Sequence, residues 1–221
     1  MFDARLQPLL RQGFAPLAER LASLGVGADA VTLFGFALGT SAAIAVGLGA
    51  TTTGLLLLLL NRLADGLDGA LARQLGPTDR GAFLDIALDF AVYALFPLGF
   101  AFADPAHNAL AAAALIAAFI GTGSSFLAFA AVAAGRNMKA PTFPTKGIYY
   151  LGGLTEGTET IVAFAVMGLW PAEFAAIAWT FAALCGITTL TRWSQGWVAF
   201  SQSEPVAAPH VAQGQCHTED L

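Results

Sequence analysis

Three long stretches of this chain carry no charged residue at all, and they decide what it can fold into. They run from Val31 to Asn61, from Ala109 to Ala134 and from Phe174 to Thr191. A bilayer-spanning helix needs roughly 20 predominantly apolar residues; the first stretch covers one and opens a second, with a natural break at Thr51-Thr52-Thr53-Gly54. Charged residues make up 11% of the 221 residues, against about 25% in a soluble domain. Too little charge remains to cover a water-facing surface, so the fold class is an all-α polytopic membrane protein.

Six spans are expected, near 31–49, 54–73, 82–103, 109–134, 148–169 and 174–192. Ahead of them, Phe2, Leu6, Leu9, Leu10, Phe14, Leu17 and Leu21 recur at three- and four-residue steps between charged residues. That pattern predicts an amphipathic helix lying on the membrane surface over residues 1–25, with Pro8 and Pro16 cutting it into short pieces. The same stretch does not read as a cleavable signal peptide, because Arg5, Arg11, Glu19 and Arg20 interrupt it. Residues 26–200 form the membrane domain. Residues 201–221 turn to Ser, Gln, Pro, Ala and Gly and are expected to be a disordered tail.

The basic residues orient these spans. Arg5, Arg11 and Arg20 precede the first, Arg73 and Arg80 lie between the second and third, and Arg136, Lys139 and Lys146 lie between the fourth and fifth. Arg192 ends the sixth, and the three opposite loops have neither Lys nor Arg. Basic residues gather on the cytoplasmic side, so both termini are expected there. Tyr149, Tyr150, Trp170, Trp193 and Trp197 fall at span ends, where amphipathic rings favour the headgroup level. Only Arg62 falls inside a span.

Chemistry concentrates on four aspartates at the cytoplasmic ends of the second and third spans. Asp65 and Asp68 are three apart and Asp85 and Asp89 four apart, so each pair shares a helix face. Gly76-Pro77 turns the chain between them, which sets the pairs facing each other. Carboxylates near a bilayer are costly, and four like charges repel. One answer is structural pairing with Arg62, Arg73 and Arg80. The more efficient one is a hard divalent cation, which takes oxygen ligands and keeps positions open for phosphate. Gly66, Gly69 and Gly81 beside the acids would let a bulky ligand approach the backbone. The histidines, His107, His210 and His217, lie in an outer loop or the tail, and Cys185 and Cys216 have no metal-ligand spacing.

The run Asp65-Gly66-Leu67-Asp68-Gly69-Ala70-Leu71-Ala72-Arg73, then Gly81-Ala82-Phe83-Leu84-Asp85-Ile86-Ala87-Leu88-Asp89, closely resembles the signature of the CDP-alcohol phosphotransferase (phosphatidyltransferase) family. Every fixed position of D-x-x-D-G-x-x-A-R and G-x-x-x-D-x-x-x-D is present, across a spacer one residue shorter than the commoner one. A further family feature, Pro-Asn-x-x-Thr before the first span, survives here only as Thr32, with Ala28 and Asp29 in the other places.

The resemblance implies transfer of a phosphatidyl or phospho-alcohol group from a CDP-linked donor, CDP-diacylglycerol above all, to an alcohol, with release of CMP, in phospholipid biosynthesis. It implies that Asp65, Asp68 and Asp85 hold one or two Mg²⁺ or Mn²⁺ ions, two being expected. Asp89 would serve as general base, or as a further ligand or its support, and Gly69, Ala72 and Arg73 would line the nucleotide site. It also implies a homodimer in a bacterial inner membrane with the active site facing the cytoplasm; no nucleic-acid partner is expected.

Two sets of residues bear on the acceptor and point in opposite directions. Lys146, with Arg136 and Lys139, suits a phosphorylated alcohol. Glu156 and Glu159, three apart in the fifth span, suit a cationic or polyhydroxyl one, or else pair structurally with Arg62. The rival from another class is a divalent-cation transporter or channel with the aspartates as its pathway. Its acids would sit nearer the midplane, often in two related halves, and nothing in the sequence repeats this cluster. An inactive structural relative is the third reading, against which stands the complete motif.

Sidedness is directly testable. Single cysteines at Thr51 and His107, in a cysteine-free background, are expected to react with an impermeant thiol reagent from outside, and one at Arg136 only from the cytoplasmic side. Labelling of positions 107 and 136 from the same face would remove the six-span plan.

Overall fold

The fold is taken from a computed structural model that describes residues 3–136 and 153–201, with side chains from residue 13 onward. All regular structure among them is helical: α1 (Asp3–Ser23), α2 (Ala28–Gly47), α3 (Thr51–Leu75), α4 (Asp79–Ala103), α5 (Pro105–Gly135), α6 (Gly157–Leu169), a 3₁₀ turn (Pro171–Glu173) and α7 (Phe174–Ser201). α2, α4, α5 and α7 with its 3₁₀ turn are long and apolar enough to cross a bilayer. α3 has 25 residues, but Arg62, Asp65, Asp68 and Arg73 occupy it from the middle onward.

Helix association in lipid gains little from hydrophobicity, since the tails are as apolar as leucine, and depends on close packing. Two features supply it. Phe96, Phe100, Phe119, Phe164, Phe174 and Phe181 interlock in the centre, with Phe100 stacked on Phe174 at 4.3 Å between centroids. Elsewhere the backbones approach directly. At Gly99 of α4 an added Cβ would stand 2.5 Å from the Ala43 carbonyl oxygen of α2. Leu33, Phe34, Ile44, Leu56, Leu110 and Ile120 point outward, an arrangement suited to lipid and costly in water.

Three expectations are corrected. First, α1 is continuous through Pro8 and Pro16. Its second half packs on α3, with Ala18 fully buried and Phe14 and Leu21 against Ala64, Ala70 and Leu71; that burial offsets the backbone hydrogen bonds the prolines remove.

Second, the described part of the fifth span is helical only from Gly157. Glu156 is its N-cap in extended backbone, φ −108°, and forms a reciprocal capping box with Glu159. A carboxylate that accepts the N–H of the first turn must precede the helix, so an apolar count cannot place this start. Third, the helix of the sixth span does not stop at Arg192: α7 continues to Ser201. Arg192 is buried because its Nη1 donates to the Thr122 carbonyl at 3.0 Å and its guanidinium lies over Phe126.

Past Ser201 the expected tail lies outside the described residues. His107 sits in the first turn of α5, where Asp104 caps the helix and meets His107 Nδ1 at 2.8 Å. That hydrogen bond holds the exposed Asp104 carboxyl below its ordinary range.

Two glycines separate close packing from mere helix propensity. Gly99→Ala must displace backbone and is expected to cost about 1–3 kcal/mol, the usual range for overpacking. Gly186→Ala on α7 meets nothing within 4 Å and should be neutral or stabilising by up to about 1 kcal/mol. Thermal unfolding in detergent checks both; equal melting temperatures would contradict this packing.

Candidate active site

The α3–α4 turn sets the site. α3 ends at Leu75, Gly76 takes φ 94°, a value open to glycine at little cost, and Pro77 follows. Thr78 then caps α4, its Oγ1 accepting from Gly81 N–H at 3.0 Å. Two helices joined by so short a turn run antiparallel as neighbours, which brings the last turns of α3 against the first turns of α4.

The aspartates meet as the spacing predicts. One carboxylate oxygen each from Asp65, Asp68 and Asp85 lie within 4.8 Å of one another. Asp65 is half-buried, Asp68 buried and Asp85 exposed, so the group opens from the helix interface toward solvent. With Asp89 they line a cleft completed by Thr32, Gly35 and Phe36 of α2, Asn61 of α3, and Leu88 and Val92 of α4. Three carboxylates this close repel unless a cation joins them. Their oxygens would suit a hard divalent cation such as Mg²⁺ or Mn²⁺.

Other parts of the site were less legible. Thr32 Oγ1 donates to Asp68 Oδ2 at 2.6 Å, fixing that carboxylate from a neighbouring helix. Arg62 was the unexplained intramembrane charge. Its Nη2 donates to Asp89 Oδ1 at 2.6 Å and its Nη1 lies 3.8 Å from Asp65 Oδ2, so its partners are these aspartates and not Glu156 or Glu159. Asn61, an amide ending a run of six leucines, is 3% exposed and was passed over. A buried amide in such a run is itself a signal, since it must find partners.

Several expected residues take different positions. Gly66 gives room to Phe14 of α1, which a Cβ would meet at 2.6 Å, so this glycine serves helix packing and not ligand approach. Gly69 lies beside Arg73, whose Nη1 would be 3.4 Å from an added Cβ. Ala72 is half-buried one residue before it. Arg80 pairs with Asp29 at 2.5 Å, tying the start of α4 to α2. Glu156 and Glu159 flank the first turn of α6, where Glu156 Oε1 also accepts from Gly153 N–H at 3.2 Å. Lys139 and Lys146 lie outside the described residues.

The fold and site together define an all-α polytopic membrane protein with a carboxylate cluster at one end of a helix pair. Comparison with known proteins gives its family. The family model for CDP-alcohol phosphatidyltransferase matches residues 26–191, and the chain belongs to that family of transferases, which act in phospholipid synthesis.

The chain is 53% identical over 195 residues to Inner membrane protein YnjF of Escherichia coli, covering 88% of this chain and 95% of that one. Its fold is similar to that of the phosphatidylinositol phosphate synthase of Mycobacterium tuberculosis. The structure of that synthase with manganese and citrate superposes with a TM-score of 0.69 at 21% identity, covering 87% of this chain and 93% of that one. The structure with CDP-DAG bound gives 0.67 at 22%, covering 88% and 98%.

Proposed function

We propose that this protein transfers a phosphatidyl group from CDP-diacylglycerol to an alcohol, releasing CMP, in a bacterial inner membrane with the site open to the cytoplasm. The observation that carries the reading is the convergence of Asp65, Asp68 and Asp85 from two helices onto one point, beside Asp89. The manganese and CDP-DAG complexes of the mycobacterial relative support the same combination of metal and donor, and the name of the Escherichia coli relative supports the membrane.

In this reading Asp65, Asp68 and Asp85 hold one or two Mg²⁺ or Mn²⁺ ions, with two proposed. Divalent metal bound there would neutralise charge on the donor's phosphoryl oxygens and orient the leaving group. Asp89 receives the proton of the acceptor hydroxyl, whose oxygen bonds to the phosphorus distal to cytidine as the bond to CMP breaks. A base needs only to stand within about 2.6–3.2 Å of that hydroxyl, or one water away. Gly69, Ala72 and Arg73, in the last turns of α3, line the nucleotide side. Glu156 and Glu159 are left out of the acceptor site, because both carboxylates are engaged in capping α6. A homodimer remains part of the proposal by family resemblance.

A cation pathway fits less well. The acids gather at one end of the α3–α4 pair, and Asp68 is 5% exposed with its carboxylate bonded to Thr32.

The two kinds of aspartate are distinguishable by assay of CMP release from CDP-diacylglycerol with a panel of alcohols. Asp68→Asn should abolish release and weaken metal-dependent donor binding, an amide being a poor ligand for a hard cation. Asp89→Asn should lower turnover by about 10²–10⁴-fold, the usual contribution of a general base, while donor and metal still bind. Loss of metal binding in Asp89→Asn as complete as in Asp68→Asn would make Asp89 a ligand instead.

A further inference from the structure

The Asn61–Arg62 dipeptide forms a chain of contacts that ends on Asp89. Asn61 Nδ2 donates to the Gly35 carbonyl of α2 at 2.8 Å, and Asn61 Oδ1 accepts from Arg62 Nε at 2.8 Å. Neighbouring residues on a helix do not normally face each other, so the arginine side chain must fold back to make this bond. Its guanidinium then lies 5.7 Å from the ring centroid of Tyr93, one turn beyond Asp89 on α4, and Nη2 reaches Asp89 Oδ1 at 2.6 Å. The arginine side chain is 14% exposed.

We infer that Arg62 is the positioning residue for Asp89, and that Asn61 anchors it. This rests on the assignment of Asp89 as the base. A guanidinium is planar and presents its donors in a rigid fork, so fixing Nε through Asn61 and the plane against Tyr93 also fixes the direction of Nη2. The bond from Nη2 commits Oδ1 of Asp89 and leaves Oδ2 for the acceptor's proton. The anchor reaches α2, α3 and α4, so the base is held by the same three helices that line the cleft. A counter-charge alone needs none of this: a lysine would neutralise Asp65 and Asp89 without an amide buried in a leucine run.

The difference between charge and geometry gives the test. Arg62→Lys keeps the charge and loses the fork; Asn61→Leu keeps the arginine and loses its anchor. Purified variants are assayed for CMP release, with Mn²⁺ binding as the check that the fold and metal site are intact. Positioning predicts that kcat falls by about 10–100-fold in both, the scale of a misplaced reacting group, while KM for the CDP donor and Mn²⁺ affinity stay within about twofold. Should Asn61→Leu fail to fold, Arg62→Lys alone carries the test.

An Arg62→Lys variant with wild-type kcat overturns the inference, because charge then suffices. Equal losses in kcat, donor affinity and Mn²⁺ binding overturn it as well, because the role is then structural. If Asp89→Asn itself turns over at the wild-type rate, the base assignment falls and takes this inference with it. If Asp89→Asn is inactive while Arg62→Lys is normal, only the inference falls.

Discussion

Carboxylates packed at the end of two apolar helices must be compensated, and much of the structure follows from how that is done. Asp65, Asp68, Asp85 and Asp89 line one cleft, in a setting where each charge is costly. Asp89 has Arg62, Asp68 has the Thr32 hydroxyl, and Asp65 is near Arg62 at a longer distance. These partners arrive from α2 and α3. What they leave is a group of three oxygens close enough to share a cation. Structural pairing, set against metal binding on the sequence, accounts for Asp89 and touches Asp65 and Asp68 without drawing their oxygens out of that group.

The remaining elements hold that geometry in place. α1 lies against the site-bearing part of α3, with Phe14 over Gly66, so a motif glycine that looks like ligand space is a seat for a surface helix. Away from the cleft, the stacked phenylalanines and the Gly99–Ala43 approach fix the same helices. Polar side chains within the bundle are bonded between elements: Thr155, just before α6, to Thr188, Arg192 to Thr122 and Asn108 to the Phe100 carbonyl. Such bonds set helix register where burial of apolar surface cannot.

The helical membrane class and the aspartate cluster were legible because each rests on local pattern: charge-free runs, and acids at three- and four-residue steps on either side of Gly76-Pro77. What could not be read depended on partners far apart in the chain. Arg62 meets Asp89 across 27 residues and Thr32 meets Asp68 across 36, and no spacing rule reaches that far. Arg192 looked like the end of a span because a charge ends an apolar run, yet burial against Thr122 and Phe126 lets α7 continue. Glu156 and Glu159 looked like one face of a helix, when the first of them precedes it as a cap. In each case hydropathy measured composition correctly and missed a specific hydrogen bond.

In the proposed function, α3 and α4 each contribute ligands to one divalent-cation site. Electron paramagnetic resonance of Mn²⁺ titrated into the protein in lipid nanodiscs measures this directly, free of any assumption about substrate. Asp65→Asn on α3 and Asp85→Asn on α4 should each weaken binding by at least the ~10–100-fold typical of losing even an outer partner of a ligand. Asp104→Asn, at the turn where α4 ends and α5 begins, should leave binding unchanged. Saturable Mn²⁺ binding that survives Asp85→Asn undiminished would contradict a site shared between the two helices.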